Sequence, residues 1–523
     1  MKREKIVVMG FDGATFSLIE PLVDKGKLPT FEKLMKRGVY GILKSTIPPV
    51  SAPAWVSFMT GKNPGKHGIF DFRHWNVKKY DESELVDTTK IDGLKVWNIL
   101  NSFGKKVGVI NVPITYPPEK VNGFLITGML TPSLENYTYP SELKNELKDY
   151  IIDIESGGKF IPSFGKINKE KFFEELNEMV DSRLKNTLRL LKKDWDLFII
   201  VFRFLDAAQH IFWEDKEYLE KLYKKADHIL EAILKEIKAT VIVMSDHGFE
   251  AKSLKDVHIN DWLRINGYLK TKKEIKTSRF NKKKIVRFLS SLGLLNIVWK
   301  IIPSKIKEKE IREYKNVDWS RTKAYFSPKH FAFPWVGIEI NLKNKKEKGI
   351  VDPKDYEELR EEIIEKLKEL KDPETGEKVV EKIYRKEEIY KGNHLYEASD
   401  IIIKFKHPYR GEKSLGNTAF ITPTVESNIK GEHEFNGIFM AFGRYIIKGE
   451  EIKNAEIIDI VPTILHIFGL ALPEDLDGKV LKGIFKSSYV SAKKRVRSIK
   501  INQMKEKSKI IKKIRYLKKF KKI

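Results

Sequence analysis

The chain is 523 residues long and contains 98 Lys and Arg against 72 Asp and Glu, which gives a formal net charge of +26. Hydrophobic residues make up 41% of the chain, so it can bury a large core, and disorder of the whole chain is excluded. The chain contains no cysteine. Disulfides, cysteine-ligated zinc, iron–sulfur clusters and thiol nucleophiles are therefore excluded, and any metal must be held by Asp, Glu and His.

The N-terminal segment and the most apolar window both argue against membrane insertion. Four of the first five residues are charged, and no long apolar segment of a signal peptide follows them. Residues 285–303 contain Arg287 and Lys300, and so fall short of the roughly 20 apolar residues that a membrane span needs. We therefore expect a soluble, cytoplasmic protein. Richness in Lys, Glu and Ile without Cys is also typical of hyperthermophile proteins.

Positive charge is concentrated near the end of the chain. Residues 493–523 contain fifteen Lys and Arg against one acid, Glu506, and carry more than half of the net charge. Two interpretations of this segment stay open. It is either a solvated, partly helical extension or an electrostatic attachment to anionic lipid or nucleic acid, helped by a loose apolar stripe. The stripe consists of Ile510, Ile511, Ile514 and Leu517.

Three short apolar segments end in polar residues and are typical of buried strands. They are residues 5–9 before Asp12, residues 197–202 before Asp206, and residues 240–244 before Asp246. A helical pattern at residues 218–237 separates the last two segments. The order strand, helix, strand predicts an α/β fold with a parallel sheet covered on both faces. In such sheets the chemistry collects at the carboxyl ends of the strands.

An insertion interrupts this sheet pattern. Residues 271–316 are basic and irregular, and their apolar stretch, residues 285–302, is either a helix packed on a cap or a segment lying against a bilayer. A helix is expected at residues 356–370, and the sheet pattern resumes at residues 400–403 and 437–441. The predicted domains are a catalytic domain at residues 1–270 and 395–485, an inserted cap subdomain at residues 271–394, and a basic tail at residues 486–523.

The strand-end residues suit a metal site for phosphoryl or sulfuryl transfer. Two divalent metals roughly 3.5–4 Å apart neutralise the reacting group and hold a nucleophile in line. A cysteine-free site needs about three Asp or His ligands per metal. The strand ends provide such residues, namely Asp12, Asp206 with His210, and Asp246 with His247. One helical turn would bring Asp206 and His210 to the same metal.

A hydroxyl group lies in a suitable place in residues 47–61. Pro53 suits the first turn of a helix that runs to Thr60, which puts Ser51 just before the helix N-terminus. There the helix dipole and a bound metal would favour the alkoxide. At this stage an ordinary helix cap is the alternative role for Ser51.

Several short motifs follow one another along the chain. They are Asp12 after the first strand, Pro49-x-Ser51-x-Pro53, Thr60-Gly61-x-x-Pro64-x-x-His67-Gly68-Ile69, Asp206-x-x-x-His210, Asp246-His247-Gly248 and Gly431-Glu432-His433. In this order they resemble the alkaline phosphatase superfamily, specifically its type I phosphodiesterase/nucleotide pyrophosphatase branch, over roughly residues 5–270 and 395–481. The resemblance implies an alkaline-phosphatase-like sandwich, in which helices flank a mostly parallel central sheet, with an inserted cap subdomain.

The resemblance also implies a role for each matched residue. Ser51 corresponds to the nucleophile, which is Thr in many relatives and takes up the phosphoryl group covalently. One metal would be held by Asp12, Ser51, Asp246 and His247, and the other by Asp206, His210 and His433. The family metal is usually zinc, with manganese as the alternative, and imidazole with carboxylate suits zinc on chemical grounds. His67 is expected to be structural.

The sequence departs from the family pattern at two positions. Nucleotide pyrophosphatases usually carry an Asn that holds phosphoryl oxygens, and this chain has Phe72 in its place. The difference puts a preference for nucleotides in doubt. Arg73 or His74 is the candidate for a substitute donor. Glu434 stands where relatives often have Gly.

The motifs together predict a metal-dependent hydrolase of phosphate esters, and of diesters in particular, working through a phosphoseryl intermediate. A phosphomonoesterase or a phosphomutase on the same metal core is the alternative within this class. A non-catalytic protein that binds a membrane or polyanion is the alternative outside it. A sulfatase is disfavoured because Trp55 occupies the place of a required Arg. The sequence leaves the oligomeric state open.

Overall fold

The computed structural model describes residues 3–147, 149–153, 167–272, 313–416, 419–487, 489 and 498–500. Most of the basic tail and the apolar stretch at residues 285–302 lie outside these ranges, so both interpretations of each stay predictions. Within the described ranges, no helix is long and apolar enough to cross a membrane.

The largest sheet among the described residues has ten strands, and its centre is parallel. From one edge to the other the strands are Glu450–Glu451, Val39–Lys44, Asn436–Phe442, Thr240–Met244, Ile6–Phe11, Leu197–Phe202, Val107–Val112, Gly123–Thr127 and Thr138–Tyr139, and Ala455–Glu456 also pairs with Val39–Lys44. The three strands predicted from apolar segments are adjacent, with Ile6–Phe11 paired in parallel to the other two. The predicted α/β fold with a mostly parallel sheet is confirmed.

Helices cover both faces of this sheet. The strand Ile6–Phe11 shows why, because every residue in it is buried and alternate side chains enter opposite cores. The first core contains residues of Ser51–Thr60, Val96–Ser102 and Ile460–Ile467. The second contains residues of Phe16–Asp24, Pro29–Arg37, Lys169–Leu190, Phe204–Phe212 and Lys216–Glu236.

A second unit has its own core and two smaller sheets. A four-stranded sheet consists of Ala324–Ala332, Trp335–Ile340, Ile401–Phe405 and Val380–Arg385, and a three-stranded sheet of Tyr409–Glu412, Lys255–His258 and Ile421–Pro423. The expected helix is present at Tyr356–Lys368, and its buried side chains enter this core.

One strand assignment needs correction. Residues 437–441 belong to the central sheet as predicted, within Asn436–Phe442, but the prediction that residues 400–403 return to it is wrong. Ile401–Phe405 pairs with Trp335–Ile340 and Val380–Arg385 instead. A short apolar run is buried equally well in either sheet, so its composition does not select its partners.

The remaining α-helices and strands of the described residues are short. The helices are Pro64–His67, Ile259–Ile265 and Lys386–Ile389, and the strands are Arg73–Trp75, Ser83–Leu85, Gly248–Ala251, Gly431–Glu434, Leu472–Pro473 and Ser498–Ile499.

Candidate metal centre

Three aspartates meet at the carboxyl edge of the central sheet. Asp12 directly follows the strand Ile6–Phe11, Asp246 follows Thr240–Met244, and Asp206 lies in the first turn of the helix after Leu197–Phe202. All three are buried, with at most 3% of their surface exposed. Because the three strands are parallel neighbours, their carboxyl ends meet at the same edge of the sheet.

Each aspartate uses one oxygen to hold its position and leaves the other without a partner. Asp12 Oδ2 accepts hydrogen bonds from Trp55 Nε1 at 3.0 Å and Arg203 Nε at 3.1 Å, and Arg203 Nη2 donates to Asp206 Oδ2 at 3.2 Å. Asp246 Oδ1 accepts from the backbone N–H of Gly13 at 3.3 Å. Asp12 Oδ1, Asp206 Oδ1 and Asp246 Oδ2 are buried and have no hydrogen-bond partner among the described residues.

Three histidines direct Nε2 towards these oxygens and Nδ1 towards backbone carbonyls. The Nδ1 atoms of His210, His247 and His433 lie 3.0, 3.0 and 2.9 Å from the backbone carbonyls of Gly431, Gly248 and Pro49. A carbonyl oxygen only accepts, so each Nδ1 carries the proton and donates it. In its neutral form each ring therefore keeps a lone pair on Nε2 that faces the aspartates, which is the tautomer that a metal ligand needs.

The Nε2 atoms lie close to the unpartnered oxygens. His247 Nε2 is 3.5 Å from Asp12 Oδ1 and 3.4 Å from Asp246 Oδ2. Asp206 Oδ1 lies 3.2 Å from His433 Nε2 and 3.5 Å from His210 Nε2. His433 reaches this place because its strand, Gly431–Glu434, pairs with Gly248–Ala251, which begins directly after His247. The rings of His247 and His433 stack with centroids 3.7 Å apart.

Burial and charge shift the pKa values in opposite directions across the site. Burial lowers the pKa of His210 to about 4 and that of His247 well below its ordinary value, so both rings are neutral. Burial, reinforced by the charge of Asp206, raises the pKa of Asp12 to about 6, and burial with the charge of Asp12 raises that of Asp246. Burial also acts on Asp206, but the neighbouring imidazoles of His210 and His433 together with the charge of Arg203 outweigh it and lower its pKa.

The donor set fits divalent cations. Two groups have ligand atoms that all lie within 4.8 Å of one another, namely Asp12, Asp246 and His247, and Asp206, His247 and His433. The unpartnered carboxylate oxygens and the lone pairs of the imidazoles are the ligands that zinc takes in cysteine-free sites. His247 reaches both groups, whereas the family resemblance assigns it to one metal only.

Ser51 lies at the edge of the same cluster. Its helix runs from Ser51 to Thr60, so Ser51 is the first helical residue rather than the residue before it. The side chain is buried, and its Oγ lies 3.1 Å from His247 Nε2. The preceding loop is held from two sides, since His433 donates to the carbonyl of Pro49 and the hydroxyl of Tyr390 donates to that of Ile47. The hydroxyl thus faces the histidine.

The structure also places the residues at which the sequence departs from the family. Phe72 packs against the first core, and Arg73 is bonded to Ser83 on the neighbouring strand. His74 lines a cavity of about 1100 Å³ between its hairpin and the second unit. Glu434 accepts from the backbone N–H of Asn436 at 2.6 Å and from its side chain at 3.3 Å, so its carboxylate closes a turn.

His67 lies apart from the cluster. Its Nδ1 accepts from the backbone N–H of Ile69 at 3.2 Å, and its Nε2 lies 2.9 Å from Ser57 Oγ. Both ring nitrogens therefore have partners close to His67 in the chain.

Trp55 and Arg203 contact the site, although neither is predicted from the sequence to do so. Trp55 lies one helical turn after Ser51, and Arg203 stands at the carboxyl end of the strand Leu197–Phe202, three residues before Asp206. Their spacing from Ser51 and Asp206 is the signal that could have identified them. Their contacts with Asp12, far away in the chain, depend on the tertiary structure.

Solved structures with low sequence identity show the same fold. Phosphonoacetate hydrolase from Sinorhizobium meliloti 1021, in complex with phosphonoformate, is 12% identical, with a TM-score of 0.55 over 88% of this chain and 94% of that chain. Murine ectonucleotide pyrophosphatase/phosphodiesterase 5 is 14% identical, with a TM-score of 0.51 over 92% of this chain and 100% of that chain. The fold is that of the alkaline phosphatase superfamily.

The family assignment follows from the sequence match. Residues 6–436 match the family model described as type I phosphodiesterase/nucleotide pyrophosphatase, and the chain belongs to this family. The protein is therefore a phosphoric ester hydrolase. A search of curated proteins finds no match.

Proposed function

We propose that this protein hydrolyses phosphodiesters at a site for two divalent cations, with Ser51 as the nucleophile. Zinc is the cation that the donor set favours, and manganese is the alternative. The proposed ligands are Asp12, Ser51, Asp246 and His247 for one cation, and Asp206, His210 and His433 for the other. The three unpartnered carboxylate oxygens opposite the imidazole Nε2 atoms are the observation that carries this proposal.

The placement of Ser51 supports its role as the nucleophile. Without a cation its Oγ–H donates to His247 Nε2 at 3.1 Å, because the other nitrogen of that ring already donates to a carbonyl, so the hydroxyl lies beside the nitrogen that would hold a cation. The positive end of the helix dipole adds to the charge that favours a serine alkoxide. Bound cations would neutralise the phosphate oxygens and favour the alkoxide further.

The proposed reaction has two displacements at phosphorus. Ser51 Oγ loses its proton and forms a bond to phosphorus as the bond to the leaving oxygen breaks, and the leaving group takes up one proton in place of the one that Ser51 released. Water then attacks the phosphoseryl group, which releases the phosphate product and returns the hydroxyl of Ser51. Trp55 and Arg203 keep Asp12 in place through both steps, since both donate hydrogen bonds to its Oδ2.

Two model substrates test the proposal. Metal-stripped protein is resupplied with Zn²⁺ or Mn²⁺ and assayed with bis-p-nitrophenyl phosphate and p-nitrophenyl phosphate. We expect the diester to be preferred, metal to restore activity, and Ser51→Ala to abolish it while leaving the histidines and aspartates in place. A preference for the monoester would favour the phosphomonoesterase or phosphomutase alternative. If Ser51→Ala still hydrolyses both substrates, the proposed role of Ser51 is overturned.

A further inference from the structure

Arg203 connects two aspartates that come from different strands. It directly follows the strand Leu197–Phe202, and only 6% of its side chain is exposed. Its Nε donates to Asp12 Oδ2 at 3.1 Å, and its Nη2 donates to Asp206 Oδ2 at 3.2 Å. A single planar guanidinium therefore joins both carboxylates.

The inner oxygens of the same two aspartates face the centre of the site. Asp12 Oδ1 and Asp206 Oδ1 lie 3.5 and 3.9 Å from His247 Nε2, and neither has a hydrogen-bond partner among the described residues. Arg203 thus holds each carboxylate by its outer oxygen and leaves the inner oxygen available. In the proposed function, Asp12 and Asp206 belong to different cations.

We propose that Arg203 is a positioning residue that sets the separation of the two cations; this inference rests on the proposed function. The guanidinium is rigid and its donors have a fixed spacing, so the two carboxylates cannot move apart without breaking a charged hydrogen bond. Lysine in this place offers one rotatable ammonium group at the end of a flexible stem, and does not reproduce the fork.

A purely structural role would have a different consequence. Arg203 also directly precedes the helix Phe204–Phe212, and its carbonyl accepts from the backbone N–H of Ala207 in the first turn. If the side chain only supported this helix, its replacement would lower stability and leave the spacing of bound cations unchanged. The spacing therefore distinguishes the two roles.

Electron paramagnetic resonance of the manganese-loaded protein measures this spacing directly, because two neighbouring Mn²⁺ ions couple. Wild type is compared with Arg203→Lys and Arg203→Met, and Mn²⁺ affinity is measured by calorimetry. Arg183→Lys is the matched control. Arg183 is also a buried arginine paired with an aspartate, Asp153, at 3.2 Å, but it touches none of the site residues through its described hydrogen bonds.

We expect wild type and Arg183→Lys to give the same coupled spectrum. In both Arg203 variants the coupling should change or give way to the signal of isolated Mn²⁺, with binding weaker by about tenfold or more. An unchanged coupled spectrum in a folded Arg203 variant would overturn the inference and leave the proposed function intact. If wild type binds no second Mn²⁺, the two-cation site itself fails, and the role of Arg203 fails with it.

Trp55→Phe provides a second comparison within the site. It removes the other donor to Asp12 Oδ2 but keeps Arg203 as the bridge between Asp12 and Asp206. We expect its coupling to match that of wild type even where its affinity for Mn²⁺ falls. A change in coupling as large as that of the Arg203 variants would show that the bridge has no special part in the spacing.

Discussion

The Nε2 atoms of His210 and His433 lie 3.1 Å apart, although the Nδ1 of each ring already donates to a backbone carbonyl. Two lone pairs at this distance repel unless a proton or a cation lies near them. Without a cation a proton lies there, because the charge of Asp206, whose Oδ1 is 3.2 Å from His433 Nε2, outweighs burial and raises the pKa of His433. A cation between these atoms would replace that proton.

Zinc should therefore stabilise the folded protein. At a Zn²⁺ concentration a thousandfold above the dissociation constant, we expect the free energy of unfolding to rise by about 4 kcal/mol. Thermal unfolding with and without Zn²⁺ measures this gain. His433→Ala should lose most of it, whereas His330→Gln, at a buried histidine of the second unit, should keep it. An equal gain in both variants would contradict the assignment of His433 as a ligand.

The contact between Gly10 and Trp55 gives a prediction about packing. A Cβ atom at Gly10 would overlap the indole ring of Trp55, whose Nε1 holds Asp12. Gly10→Ala should lower the free energy of unfolding by about 1 to 3 kcal/mol, since the added methyl overpacks a buried site. It should also weaken Zn²⁺ binding, measured by calorimetry. Gly483→Ala is the control, because a Cβ there meets no atom within 4 Å. Unchanged zinc affinity in Gly10→Ala would show that Asp12 does not need Trp55.

Glu250 should make stability fall as the pH rises. Burial, followed by the charges of Glu432 and Glu434, raises the pKa of Glu250 to about 7. The pKa of a glutamate in the unfolded chain is about 4.3. Between these values the folded protein keeps a proton that the unfolded chain has released, so stability decreases with rising pH in this window.

Replacing Glu250 by glutamine removes the ionisable group and with it this loss of stability at high pH. Glu250→Gln should be more stable than wild type at pH 8 by about 1 to 2 kcal/mol, allowing for partial exposure, and should show no gain at pH 4. Urea unfolding at both pH values measures the difference. The control is Glu217→Gln on an exposed helix surface, which should change little at either pH. A gain of the same size at pH 4 would point to packing rather than ionisation.

The basic residues beyond position 500 give a prediction about anionic surfaces. If the tail is an electrostatic attachment, full-length protein binds vesicles that contain anionic lipid, and binding weakens with added salt because screening shortens electrostatic attraction. Removing residues 501–523, which contain ten of the fifteen Lys and Arg, should abolish the binding in a sedimentation assay. The truncation keeps the strand Ser498–Ile499. Binding that survives the truncation or high salt would exclude the electrostatic attachment and favour a solvated extension.

The sequence predicted the parts of this protein that depend on local pattern. Apolar runs of strand length that end in Asp12, Asp206 and Asp246 identify neighbouring parallel strands, and the carboxyl ends of such strands meet at one edge. The spacing of His210 from Asp206 is one helical turn, which a helix brings to the same side. His433 came from the family resemblance alone, because nothing in its local pattern marks a ligand.

Only the tertiary structure decided which distant segments meet. It paired Ile401–Phe405 with the smaller sheet, brought His433 beside His247 through a two-stranded ladder, and joined Asp12 to Asp206 through Arg203. The physical reason is the same in each case. A residue type and its neighbours determine what a side chain can bond to, but the partner is selected by the packing of segments far apart in the chain.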